Sequence, residues 1–185
     1  MAEGTKMKRT SIMATFVVAL FAVSSVKANT DDSTVLRKSE AIQAYMGACV
    51  STRANLDAVK GQAKKMGFVP LSGESAQKYL SGNRGLVWSK RAPMSGYTLT
   101  LLANGVCSLF VHKGDPSLLQ ASMEAWLPPS DSGFTYKKSV ISKRGPLTAT
   151  QYQIFRSAVM IEQWVIATNS QANTGLAAIM SVHGA

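Results

Sequence analysis

Apolar positions along the chain change period several times, and each change marks an element. Ile42, Tyr45, Met46, Cys49 and Val50 recur at helical spacing, predicting a helix over roughly 34–50 with Asp32 or Ser33 as its cap. A second helix is expected over Arg53 to Met66, with Leu56, Val59, Ala63 and Met66 inward and Gly67 as its stop. Phe68 to Gly85 reads as loop with one helical turn near Ser75 to Leu80. Leu86 to Lys90 opens a sheet. Tyr97 to Lys113 then carries two β-type runs around Asn104-Gly105, a pair that tolerates positive φ and closes a tight hairpin. On its second run Cys107, Leu109 and Val111 share one face, and Ser108, Phe110 and His112 the other.

Asp115-Pro116 is a cap followed by proline at the first helical position, and Pro128-Pro129 closes the segment. Leu119, Met123, Trp126 and Leu127 form its apolar face. Four strands are expected beyond it, over roughly 134–142, 148–156, 159–168 and 176–183. In the first, Phe134, Tyr136 and Val140 face one way and Thr135, Lys137, Ser139 and Lys143 the other, predicting one dry and one wet face. The third is apolar on both sides apart from Glu162 and Gln163, which predicts a central strand. A weak echo sets the second helix, Gly67-Phe68 and strands beside the third helix, Gly133-Phe134 and strands. The expected fold is α+β: a mostly antiparallel sheet of about six or seven strands, about three helices packed on it, and one disulfide.

The N-terminal pattern differs in kind. Lys6, Lys8 and Arg9 precede an apolar run, Ile12 to Val23, and Val26-Lys27-Ala28 offers small residues at a cleavage site. Residues 1–28 therefore read as a cleavable signal peptide and 29–185 as a single α+β domain. The apolar run is about half the ~20 residues a membrane-spanning helix needs. The expected location is periplasmic or secreted. In that setting two cysteines on core-facing positions, Cys49 and Cys107, are expected to bond.

Composition adds a bias toward partners. The chain has 20 Lys and Arg against 10 Asp and Glu, a net charge of +10, and the part after residue 28 keeps +7. Hydrophobic residues make up 46 % and charged ones 16 %, which excludes a disordered chain. Lys137, Lys138, Lys143 and Arg144 with Tyr136 gather on one hairpin, and Lys90 and Arg91 sit beside Trp88. Cations interleaved with aromatics are a candidate surface for an anionic partner; lysines guarding a sheet edge account for them equally.

Signatures of catalysis are thin. Ser108, His112 and Asp115 are triad residue types, but Ser108 and His112 lie about 13 Å apart along one strand. Cys107 and His112 fall on opposite faces. No metal spacing, P-loop or dinucleotide fingerprint occurs. Gly82-Asn83-Arg84-Gly85 is formally G-x-x-G, but a strand follows it where a nucleic-acid clamp needs a helix. No catalytic, cofactor-binding or metal-ligating residue is assigned.

The run Cys49, Arg53, Gly67-Phe68, Val87-Trp88 and Cys107 behind a cleavable leader resembles an uncharacterised family of small periplasmic proteins and lipoproteins of Gram-negative bacteria. The likeness covers most of residues 40–168, and no lipobox is present. It implies an envelope location and supplies no activity. The expected function is that of an exported, non-catalytic binding protein for a protein or anionic envelope component. The alternatives are a hydrolytic enzyme with a site assembled from distant residues, and an accessory component of an envelope or secretion assembly.

Overall fold

The computed structural model describes residues 30–92, 95–171 and 175–183. The expected signal peptide, residues 1–28, lies outside them. Among the described residues no helix is long and apolar enough to cross a membrane.

In chain order the elements are α1 (Thr30–Arg37), α2 (Glu40–Tyr45), a π-helical turn (Met46–Val50), α3 (Leu56–Lys65), β1 (Val69–Leu71), α4 (Gly73–Leu80), β2 (Gly85–Arg91), β3 (Gly96–Leu102), β4 (Val106–Val111), α5 (Pro116–Glu124), β5 (Phe134–Arg144), β6 (Leu147–Arg156), β7 (Val159–Asn169) and β8 (Ala178–His183). The strands form one antiparallel sheet of eight, ordered β1-β2-β3-β4-β8-β7-β6-β5. The α+β class and antiparallel sheet are as expected; the counts are higher, at eight strands and five helices.

The order runs inward from both edges, and β4 and β8 meet at the centre. Each half is a helix, a Gly-Phe entry and four strands: α3 with β1–β4, and α5 with β5–β8. Gly67 and Gly133 both take positive φ, 77° and 74°. At Gly67 this conformation lets the amides of Gly67 and Phe68 turn back to Lys64 O and Ala63 O and close α3.

The main core fills one face of the sheet. Ile42, Tyr45 and Cys49 from the first helical segment, and Val59 and Ala63 from α3, pack over Leu99, Leu109 and Met180. Leu119 and Met123 of α5 cover the second half. Cys49 and Cys107 are fully buried and bonded, with S–S 2.00 Å and Cα–Cα 5.4 Å. The hairpin faces are as predicted: Cys107, Leu109 and Val111 are at most 1 % exposed.

Several expectations are corrected. The first helical segment is two helices and a π turn, broken at Lys38-Ser39; α1 already runs at Thr30, so Asp32 and Ser33 lie within it. Arg53 does not start a helix. Arg53 and Ala54 are left-handed, with φ 50° and 54°, and Asn55 caps α3 by accepting from Ala58 N. Residues 68–85 hold a strand and a two-turn helix rather than a loop with a single helical turn, and Ala76 and Leu80 of α4 pack on Val87 of β2 on the reverse face. Trp126 is 39 % exposed and lies under the Arg37 guanidinium. The central pair is β4 and β8; β7 is third from an edge. Finally, β5 has no dry face: it is the edge strand, and all of its residues but Phe134 and Ser142 are exposed.

Candidate functional site

The two expected cationic groups occupy opposite ends of the sheet. Five strands separate β2 from β5, a distance of about 29 Å at ordinary strand spacing. The β2 group is dispersed. Trp88 is buried against Leu99 in the core face. Lys90 pairs with Glu40 at 2.9 Å and rests near the Phe68 ring. Arg91 alone of the three is exposed.

The β5 group stays together at the surface. Every β5 residue except Phe134 and Ser142 is exposed, and β6 pairs with one side only. Register with β6 puts Tyr136, Lys138 and Val140 on the helix-covered face, opposite Ile154, Tyr152 and Thr150. Lys137 and Ser139 point to the reverse face. A bulge between Val140 and Ser142 shifts the phase, moving Lys143 to the helix side and Arg144 to the reverse side.

Lys138 is not free to meet a partner. Its ammonium donates to Glu124 Oε1 at 2.7 Å, and Gln120 Nε2 and the Tyr152 hydroxyl donate to the same oxygen. Burial pushes the Glu124 carboxyl up, but these bonds outweigh it and hold the group below its ordinary range. Burial, then Glu124, raises Tyr152 above the usual phenol range. The knot ties the C-terminal end of α5 to β5 and β6, and Lys138 offsets an acid at the negative end of a helix. Lys137 lies 5.3 Å from the Phe155 ring centre. Lys143 and Arg144 make no ion pair among the described residues. Lys137, Lys143 and Arg144 are thus the cations β5 offers outward, with Tyr136 half-exposed beside them.

The triad residue types on β4 and in the loop after it serve the fold. His112 Nδ1 donates to Gly175 O at 3.1 Å, and Nε2 lies within hydrogen-bond distance of the Thr98 hydroxyl, 2.9 Å, and of the Tyr79 hydroxyl, 3.3 Å. Ser108 bonds Ser181, and Asp115 caps α5 by accepting from Leu118 N.

Sequence reasoning missed a different cleft, of about 690 Å³, where the π turn meets the ends of β5–β8. Ser51, Arg53, Phe134, Arg156, Glu162 and His183 line it. Burial raises the Glu162 carboxyl, and the Arg53 guanidinium offsets this in part. The buried Trp164 N–H also lowers it, though without a hydrogen bond of full geometry. Serine, histidine and carboxylate share this cleft, yet no hydrogen bond joins them; the Ser51 hydroxyl donates to Gly47 O at 2.7 Å. No local spacing announces this grouping, since 132 positions separate Ser51 from His183. Among the described residues no cluster of His, Cys, Asp and Glu could hold a metal ion.

No family model, curated protein or solved structure matches the chain.

Proposed function

We propose that this is an exported, non-catalytic binding protein that takes an acidic, extended segment of a partner protein as a ninth strand along β5. The observation that carries the reading is the asymmetry of the two sheet edges. The β1 edge is three residues long and contains Pro70, which has no amide hydrogen to offer. The β5 edge is eleven residues long and unpaired on its outer side. An open strand supplies main-chain hydrogen bonds, and flanking side chains supply selectivity. Charge selects the partner. Two copies of β5 set edge to edge would oppose like cations, which disfavours self-pairing. An acidic strand would meet Lys137, Lys143 and Arg144 without repulsion. Export is supported by the leader pattern and by the buried disulfide.

The test is amide hydrogen exchange with a synthetic peptide of alternating Val and Glu, and its Val-Lys counterpart as control. The acidic peptide should protect β5 amides, and the basic one should not. Lys137→Glu/Lys143→Glu/Arg144→Glu should invert that preference. Protection that ignores charge, or none on β5, would overturn strand addition. Binding to anionic vesicles with β5 amides unprotected would overturn it in favour of a membrane-surface role.

A hydrolase is the second reading, favoured by Ser51, Glu162 and His183 sharing one cleft. It requires Ser51 to release Gly47 O. Turnover of small p-nitrophenyl esters that Ser51→Ala abolishes would establish it; turnover that survives the substitution would remove it.

A further inference from the structure

A cavity at the opposite end of the sheet from β5 takes no part in strand addition. It holds about 820 Å³, within the range of small-ligand sites. It exists because β1 pairs with only Val87, Trp88 and Ser89, leaving Gly85 and Leu86 without an outer neighbour. The helices α3 and α4 lie on opposite faces of the sheet, and the short β1 does not fill the gap between them. The floor is apolar: Phe68, Pro70, Leu71, Leu80, Val87 and Trp88. Gly85 belongs to the wall for a steric reason, since a Cβ there would stand 2.5 Å from Leu101 O. A second lobe of about 450 Å³ shares Lys60, Gly85 and Leu86 with the first and continues toward Leu101 and Leu102.

Charge at the rim is of one sign. Lys60 and Lys64, one turn apart on α3, are the ionisable groups lining the main lobe, and no acid lines either lobe. Lys64 makes no ion pair among the described residues, and Lys60 has only a long one, 3.8 Å, to exposed Asp57. An apolar trough with two ammonium groups at its lip complements an apolar chain ending in an anion. A cationic amphiphile would meet repulsion, and an uncharged chain would leave both ammonium groups unused.

We infer that this groove binds a single-chain fatty acid, with the alkyl chain on the Leu80–Val87–Trp88 floor and the carboxylate between Lys60 and Lys64. The site is independent of the β5 edge, so either can fail without the other.

Isothermal titration of the purified protein with dodecanoate, below its micelle concentration, tests this against dodecanol and dodecyltrimethylammonium. Dodecanoate should bind saturably at one per chain and at least tenfold more tightly than the cation. Lys60→Ala/Lys64→Ala alters only exposed side chains and should weaken dodecanoate about tenfold or more while leaving dodecanol unchanged. Leu86→Glu places an anion in the throat and should abolish dodecanoate binding at an unchanged melting temperature. If Leu86→Glu melts lower, the lysine pair decides alone. Absence of saturable binding, equal affinity for the cation, or indifference to loss of both lysines would each overturn the inference.

Discussion

Replacing both cysteines, Cys49→Ala/Cys107→Ala, isolates what the crosslink contributes. The two sulfurs close a loop with a sequence separation of 58. In the chain-entropy model that loop restrains the unfolded chain by about 4 kcal/mol at 25 °C. Alanine leaves no polar group stranded in the core, but the space of two buried sulfurs adds a cavity cost of about 1 kcal/mol or more. Both sites are fully buried, and Ile42, Tyr45 and Met46 still pack the same helical segment on β4. At roughly 2–4 °C per kcal/mol for a domain of this size, melting should fall by about 10 °C or more. Urea unfolding followed by circular dichroism reads the free energy directly. The m-value should rise as well, since an unrestrained chain exposes more surface. A loss below about 1 kcal/mol with an unchanged m-value would refute the entropic argument. Thiol counting on the denatured, unreduced wild type is the companion check: two reactive thiols would remove the crosslink itself.

Glu162→Gln should raise the melting temperature at pH 7 and not at pH 4. Burial raises this carboxyl in the folded state, so its contribution favours folding below the unfolded value of about 4.3 and is lost as pH rises through the folded value. A variant less stable than wild type at pH 7 would contradict the sign. Gly85→Ala should cost about 1–3 kcal/mol, since its Cβ meets the Leu101 carbonyl and the Leu102 Cα. Gly47→Ala should cost less, because the obstacle is the flexible end of Met66; equal melting temperatures would count against this. Protein recovered from its own cells should begin at Asn29 by intact mass, and a retained leader would contradict processing there.

The parts of this fold that were legible in the sequence are those a few neighbouring residues decide. Asn104-Gly105 closes its hairpin because the turn chemistry is local, and Cys107, Leu109 and Val111 point inward because strand alternation is strict. Asp115-Pro116 starts α5 because capping needs only the next three amides. The misreadings share a cause: burial is settled by what lies on the far side. The sequence of β5 alternates like a strand with one dry face, but as the edge strand it meets the end of α5 through the polar Lys138–Glu124 pair, and both of its faces stay wet. Trp126 sits at helical spacing behind Met123, yet α5 ends at Glu124 and the indole falls outside the core. Arg53 and Ala54 look helical by composition, while the π turn before them delivers Cys49 to β4 and leaves the chain to reverse through two left-handed residues.

The same logic explains why neither candidate site was fully visible in advance. The cationic residues of β5 were identifiable as a cluster, but only topology shows that Lys138 is held by Glu124 and that Lys137, Lys143 and Arg144 flank an open edge. On the other side, nothing local singles out Lys60 and Lys64, which border a groove only once α4 is placed across the sheet from them. The repeat of a helix-plus-four-strand topology makes this contrast informative. The two outer edges are topologically equivalent, yet β1 is three residues long and followed by α4, while β5 is eleven residues long. A strand of three residues cannot seal the layer between two helices, and the apolar groove is the direct result. A strand of eleven residues outruns its helix, and the unpaired cationic edge follows. Both candidate sites thus arise from one departure from symmetry, with opposite geometric consequences at the two ends of a single sheet.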